Sequence, residues 1–381
     1  MRFPSLVFRN VVRRRFRTAL TLLALATAMA AIVSLLGISK GFQKSFADVY
    51  DAHAVDVVVS RQGSADRLSS SLDAGVAARI AALPAVARAA GVLLDTLSFE
   101  KEGVYGVPTM GIAPGSWLLD DFTPATAAGP QAAAVALDGP RDLLLGANLA
   151  ERLAKKAGDE VTLFDEAYRV AGVFRSPSVW ENGSLVLPLE TLQKIADRVG
   201  QVTYVNVVLR KPLPAGGLER AVADIGGIDP RLLALATGDF VKTDTRMRLA
   251  GAMAWMTSVV AIVLGAIGTL NTMMTSVHER TQEIGILRAI GWPRRRVLGM
   301  VLLESCGLAV TAAALGAAAA VALTSLLARA PAAAGILAPS IDLPILVQGF
   351  LIALGIGLLG AWLPAWRAAR LLPTEAFRDQ R

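Results

Sequence analysis

HERTQEIGILRAIGWPRRR, residues 278–296, interrupts a chain that is otherwise lipid-soluble on either side of it. Residues 249–277 before it and 305–328 after it contain no Asp, Glu, Lys or Arg. Within the stretch, Ile284, Leu287 and Ile290 fall three apart and make a narrow apolar stripe, while Glu279, Arg280, Gln282 and Glu283 are polar. Arg280 and Glu283 have the spacing of an i,i+3 ion pair. Gly291 stands where a helix C-cap belongs, Pro293 prevents continuation, and Trp292 suits the depth of lipid headgroups. The stretch therefore predicts a short amphipathic helix set between two spans. Such a helix either lies on lipid or presses into a partner's groove. Gly285, having no side chain, favours a partner that approaches closely.

Working outward, residues 18–39 and 343–366 are two further uncharged runs. Each of the four runs exceeds the roughly 20 helical residues that cross ~30 Å of hydrocarbon. Hydrophobic residues make up 54% of the 381, and charged residues only 18%, below the ~25% of ordinary globular chains. A soluble fold would have to bury four helices of this length in one core, so a membrane protein is the reading. The first run has a basic flank and an Ala26-Thr27-Ala28 that imitates a signal-peptidase site. Its apolar stretch is longer than the ~7–15 residues of a cleaved signal, which makes it a retained anchor.

Arginine asymmetry sets the expected orientation. Residues 1–17 carry Arg2, Arg9, Arg13, Arg14, Arg15 and Arg17 without an acid, and residues 294–296 are all Arg. After the fourth run come Arg367, Arg370, Arg378 and Arg381, whereas residues 329–342 hold only Arg329 and Asp342. By the positive-inside rule both termini and the quoted stretch face the cytoplasm. The expected order is a basic amphipathic helix (1–17), a first span (18–42), an outer domain (43–248), a second span (249–277), the cytoplasmic helix (278–292), a third span (293–328), a short outer loop (329–342), a fourth span (343–366) and a cytoplasmic tail (367–381). The net charge of +7 belongs to the cytoplasmic rims, because residues 43–248 hold 21 basic and 25 acidic side chains. Nucleic acid is not an expected partner.

The segment 43–248 reads as α+β. Residues 55–60, 92–99, 160–164, 168–174, 184–187 and 203–209 have strand character, and 73–83, 146–156 and 189–198 helix character. Pro and Gly near 124–140 suggest a boundary between two subdomains. No catalytic chemistry emerges. The single cysteine, Cys306, lies inside the third span, and His53 and His278 fall on opposite sides of the membrane, so neither a disulfide nor a shared metal is expected. Asp120-Asp121 and Asp165-Glu166 read as solvated loop charges, Ser69 to Ser71 as a flexible loop, and Trp117 and Trp180 as packing residues. Gly is nowhere followed by Lys, so the Walker A motif is absent and ATP would have to be bound by another chain.

NTMMTSVHERTQEIGILRAIGWPRRRVLGMVLLES resembles the signature of the FtsX/MacB-type (type VII) permeases of ABC systems. That pattern has an Asn late in the second span, E-R-x-x-E-I-G-x-x-R-A-x-G, and a Glu early in the third. Asn271, Glu279, Arg280, Glu283, Ile284, Gly285, Arg288, Ala289, Gly291 and Glu304 occupy its positions. LPAWRAARLLPTEAFR resembles the family's closing motif through Pro364, Ala365, Ala368, Arg370, Pro373 and Ala376. RNVVRRRFRTALTLL is similar to its basic leader, and LLGANLAERLAKKAGDEVTLFDEAYRVAGVF to the outer domain of the MacB/LolC/DevC-like branch.

The resemblance implies an α-helical membrane protein with four transmembrane helices and a large α+β extracytoplasmic domain between helices 1 and 2. It implies a bacterial inner-membrane permease acting as a dimer, homodimeric or with a related second permease. Its ATPase is expected as a separate subunit, since this chain begins at the permease segment. The implied docking element for that ATPase is Glu279, Arg280, Glu283, Ile284, Gly285, Leu287, Arg288, Ile290 and Gly291. Asn271 and Glu304 are the implied polar positions at the membrane interface. From its place near the inner end of the third span, Glu304 is expected to pair with a basic residue or to accept from a neighbouring helix, a structural role rather than a proton relay. Membrane lipid and a periplasmic adaptor are further implied partners. No cofactor is expected in this chain, ATP and Mg belonging to the ATPase. Closure of the ATPase would be transmitted to the outer domain as mechanical work, for export or extraction of a hydrophobic, peptide-like or lipoprotein substrate. The alternatives are a signal relay that activates an extracytoplasmic enzyme such as a cell-wall hydrolase, and a membrane scaffold without an ATPase. None of the runs has a charge at its centre, so no ion path is expected. Ala312, Gly316 and Ala320, and Ala353, Gly357 and Ala361, are spaced for close helix packing.

Overall fold

The computed structural model describes residues 15–63, 70–125, 136–329 and 340–371. Most of the basic leader, Ser69, much of the expected 124–140 boundary, and Pro373 and Ala376 of the closing motif lie outside the described residues.

The first helix, α1 (Arg15–Ala52), is unbroken for 38 residues and passes well beyond the apolar run that ends at residue 39. The extension persists because Phe46, Val49 and Tyr50 recur at helical spacing and are all buried. It stops at Ala54, whose φ of 50° no helix accommodates.

The domain that follows is built on one sheet. In chain order its elements are β1 (Val57–Arg61), β2 (Leu72–Asp73), α2 (Val76–Ala81), β3 (Val86–Phe99), β4 (Val104–Ile112), α3 (Trp117–Asp120), β5 (Thr123–Pro124), β6 (Asp142–Gly146), α4 (Ala147–Leu153), β7 (Glu160–Leu163), β8 (Glu166–Arg175), α5 (Val179–Asn182), β9 (Leu185–Pro188), α6 (Leu189–Ile195), β10 (Gln201–Val202), β11 (Tyr204–Leu209), α7 (Gly217–Gly226), β12 (Leu232–Ala236) and α8 (Thr237–Thr243). The strand order is β12-β1-β11-β3-β4-β9-β6-β8-β5, with β7 paired to β8, while β10 and β2 form a separate pair. The expected division into two subdomains meets a different arrangement. β4 and β9 pair in parallel from Thr109↔Leu185 to Ile112↔Pro188, joining both halves into a continuous sheet.

Both faces of that sheet are covered. On β1, Val57 and Val59 turn to a core shared with Ile80 of α2 and Ile225 of α7. Val58 turns the other way, to Tyr50 of α1, Ile112, Phe174 and Phe240. A third core collects Leu143 and Leu145 with Leu149 of α4 and Leu192 of α6. Strands covered on both faces read as continuous apolar runs, and β11 is buried at every position. Each such Val or Leu contributes roughly 1.5–3 kcal/mol by leaving water, before chain entropy is counted.

The remaining helices are α9 (Thr245–Glu279), α10 (Thr281–Ala289), α11 (Arg294–Arg329) and α12 (Leu343–Arg370). Among the described residues four helices, α1, α9, α11 and α12, are long and apolar enough to cross a membrane. They pack through small residues. A Cβ added at Gly316 of α11 would lie 2.7 Å from the Ala26 carbonyl of α1, and one at Gly360 of α12 2.7 Å from the Ala266 carbonyl of α9. Ala312, Ala320, Ala353 and Ala361, marked by spacing in the sequence, are buried. Ser305 Oγ donates to the Gly357 carbonyl at 2.8 Å, fixing α11 to α12. At the opposite end of the bundle Lys40 of α1 pairs with Asp342, the N-cap of α12, at 3.3 Å.

Candidate coupling site

The element quoted at the outset folds as α10, separated from α9 by Arg280 alone, whose φ of −113° breaks the helix. Thr281 Oγ donates to the His278 carbonyl at 2.7 Å across that break. At the other end Gly291 adopts φ +96°, the left-handed region that favours glycine. The Trp292 N–H then reaches back to the Leu287 carbonyl at 3.0 Å, and the Gly291 N–H to the Arg288 carbonyl at 3.1 Å. Arg288 Nη1 donates to the Trp292 carbonyl at 2.8 Å and so closes the same cap. The capped turn leads through Pro293 directly into α11.

Arg280 organises the site. Its Nε donates to Glu283 Oε2 at 3.1 Å, the i,i+3 pair that the spacing predicts, and its Nη1 donates to Glu304 Oε2 on α11 at 2.9 Å. The Glu304 side chain is only 10% exposed and that of Glu283 54%, so one carboxylate is sequestered with the guanidinium and the other stays wet. Charge-assisted hydrogen bonds of this type are about twice as strong as neutral ones. One arginine thereby holds the start of α10 and fastens it to α11.

The apolar stripe divides. Ile284 is 1% exposed and packs with Val277, Val297, Met300, Val301, Ala365 and Ala368 of its own bundle; Gly285 is buried beside it, and Leu287 is half-buried against the same cluster. Neither Ile284 nor Gly285 is therefore available to a partner. Ile290 is 72% exposed, and Ile286, which the sequence pattern did not single out, is also exposed. The outward face of α10 is Gln282, Glu283, Ile286, Ala289 and Ile290, with Glu279 exposed on the preceding helix. Asn271 belongs elsewhere: with Thr21, Thr27, Gly268 and Thr269 it lines a groove of about 540 Å³ between α1 and α9.

Two readings of the inserted domain also change. Asp121 is only partly exposed and lies 2.9 Å from the buried His53, which meets Glu181 on its other side. Ser70 is buried and accepts from the Arg61 N–H at 3.0 Å, which removes it from the flexible loop. Trp180 packs on Phe46 with ring centroids 5.6 Å apart, the packing role expected of it.

Comparison with known proteins follows the same two parts of the chain. Residues 18–225 match the family described as MacB-like periplasmic core domain, and residues 255–373 the FtsX-like permease C-terminal family. The chain belongs to the MacB/FtsX-like permease family. It is similar to the macrolide export ATP-binding/permease protein MacB of Shewanella sp. (strain ANA-3), with 26% identity over 95% of this chain and 58% of the relative. The MacB protein of Nitrobacter winogradskyi is 25% identical over 94% of this chain and 57% of its own length. This permease thus spans under three-fifths of the curated relatives it matches. Among solved structures it is similar to the periplasmic region of MacB from Actinobacillus actinomycetemcomitans, at 12% identity and a TM-score of 0.39, over 51% of this chain and 95% of that one. With four apolar helices and a periplasmic-type domain inserted after the first, the permease is an inner-membrane protein with an extracytoplasmic domain.

Proposed function

We propose that this permease converts ATP hydrolysis by an ABC ATPase into movement of its extracytoplasmic domain, and that the movement exports or extracts a hydrophobic, peptide-like or lipoprotein substrate. α10 is the element on which the ATPase acts, and the cytoplasm is the side it faces. The observation that carries this reading is the pairing of an outward apolar edge, Ile286 and Ile290, with an inward charged fastening, Arg280 to Glu304. A docking edge without such a fastening would move alone; fastened, it moves α11. The names of the curated relatives, macrolide export ATP-binding/permease proteins, support both the ATP dependence and the outward direction.

The permease acts in pairs. On α9, Met253, Met256, Val260, Val263 and Ile267 recur at alternating intervals of three and four and are all exposed, the seam of a left-handed helix pair. A second copy of α9 is the proposed partner of that seam.

The test uses single cysteines in a Cys306→Ser background. With ATPase present, Ile290→Cys should crosslink to it and Ile284→Cys should not. A reporter active only outside the cytoplasm should be silent when fused after Arg296 and active after Pro140. Activity after Arg296, or absence of any crosslink at Ile290, would overturn the assignment.

A further inference from the structure

His53, one residue beyond the end of α1, is 4% exposed, and each of its ring nitrogens faces a carboxylate. Nδ1 lies 2.9 Å from Asp121 Oδ2 at the end of α3, and Nε2 3.0 Å from Glu181 Oε1 of α5. We propose that this triad is a proton-operated latch, which binds the outer end of α1 to the Asp121 turn when it holds its extra proton and releases that turn when it does not. The proposal concerns the extracytoplasmic domain alone and does not depend on what drives α10.

A neutral imidazole carries one N–H and one lone pair, so it can donate to only one of the two carboxylates. Both contacts are favourable together only when one proton more is present, so that each ring nitrogen has a proton to donate. Burial opposes the charged ring, but the Glu181 carboxylate and then that of Asp121 outweigh it, holding His53 above the ordinary histidine range. Trp117 and Phe122 wall the site, with ring centroids 6.3 and 5.4 Å from the imidazole, and the Arg88 guanidinium stands over the Trp117 ring at 4.4 Å. On α1 itself the neighbouring charges are Lys44, Asp48 and Asp51.

The two carboxylates are unequal. Glu181 is buried, also accepts from the Ser176 hydroxyl, and sits on a turn independently held to α1: Ser178 Oγ donates to the Ser45 carbonyl at 2.9 Å and the Trp180 N–H to Ser45 Oγ at 3.1 Å. Asp121 is 27% exposed and can be hydrated where it stands. When the extra proton leaves, the single remaining N–H stays with Glu181, whose unpaired charge would be the costlier to leave dry. Asp121 is the contact released. Because the bound form has the raised affinity for protons, the latch is complete below about pH 6.5 and is lost as pH rises through the higher value of the folded protein.

The experiment is hydrogen exchange on the full chain in nanodiscs between pH 6 and 9, corrected for the intrinsic pH dependence of exchange. Peptides covering residues 116–122 should lose protection several-fold as pH rises, while those covering 178–183 change less. His53→Gln and the milder, partly exposed Asp121→Asn should each abolish the pH dependence at 116–122; if the first folds poorly, the second alone decides. Wild-type protection that stays flat across this range, or variants that keep the wild-type profile, would overturn the latch.

Discussion

Arg280 and Glu304 are 24 residues apart in sequence and 2.9 Å apart in space, on opposite sides of the turn that carries α10 into α11. Since both side chains are largely withdrawn from water, the pair costs far more to break than to omit. Arg280→Ala leaves Glu304 unpartnered and should destabilise the bundle by about 3–5 kcal/mol, whereas Glu283→Ala removes an exposed partner worth ~0–1 kcal/mol. Thermal unfolding in detergent measures both, and equal losses would show that the buried pair is not what fastens α10.

Ile284 and Ile290 should separate stability from partner binding. Ile284→Ala opens a cavity among Val297, Met300 and Ala365 and should cost about 2–5 kcal/mol of stability. Ile290→Ala should leave unfolding unchanged and weaken ATPase binding by about 2 kcal/mol, some thirty-fold, as expected for an interface anchor. Binding isotherms with reconstituted ATPase would refute the docking face if Ile290→Ala bound normally.

The α9 seam predicts a contact between copies. Val260→Cys, in the Cys306→Ser background, should form a disulfide-linked dimer in membranes on mild oxidation, while Ser258→Cys, whose side chain is buried inside the bundle, should not. Monomer from both on gel electrophoresis would mean that the seam faces lipid.

Two glycines on α11 should respond with opposite signs. Gly316→Ala forces a methyl to within 2.7 Å of the Ala26 carbonyl and should cost about 1–3 kcal/mol. A methyl at Gly307 meets nothing within 4 Å, so Gly307→Ala should stabilise the helix by up to ~1 kcal/mol. Denaturation midpoints in one detergent compare them directly.

In the extracytoplasmic domain Asp142 is buried and bound by Arg169 through Nε and Nη2, both at 2.9 Å, with the Gly139 and Asp138 N–H groups completing its shell. The Arg169 guanidinium, against the smaller opposing effect of burial, holds its carboxyl below the usual range. Its contribution is therefore present above about pH 3.9 and fades as pH falls through the lower value of the folded state. Asp142→Asn should cost about 1–3 kcal/mol at neutral pH and remove this part of the acid sensitivity, read by intrinsic fluorescence across an acid titration.

Much of this architecture is written locally. Four uncharged runs suffice for the spans, and Gly291 followed by Pro293 suffices for the end of α10. The orientation of α10 is not written there. At about 100° per residue, Ile284 and Ile290 are ~120° apart around the axis, whereas Ile286 and Ile290 are only ~40° apart. A stripe of every third residue drifts out of register with the helix, and only the packing of Ile284 shows which edge faces inward. The β3–β4 hairpin escaped notice because Gly106 and Pro108 give β4 the composition of a loop, and Ala87 to Ala90 give the start of β3 that of a helix. His53 carried no local signal, as its partners lie 68 and 128 residues away.

The turns at either end of α10 have a mechanical corollary. One residue joins it to α9, and the four residues to α11 are drawn tight by the cap at Gly291. On the proposed mechanism such a linkage leaves little slack, so that a displacement at Ile290 should pass to α11 rather than be taken up by uncoiling chain. Lengthening the linkage by two or three glycines after Gly291 would supply the missing play. Such a permease should still bind the ATPase and still permit hydrolysis, yet deliver nothing to the far side, like an engine running with its clutch disengaged.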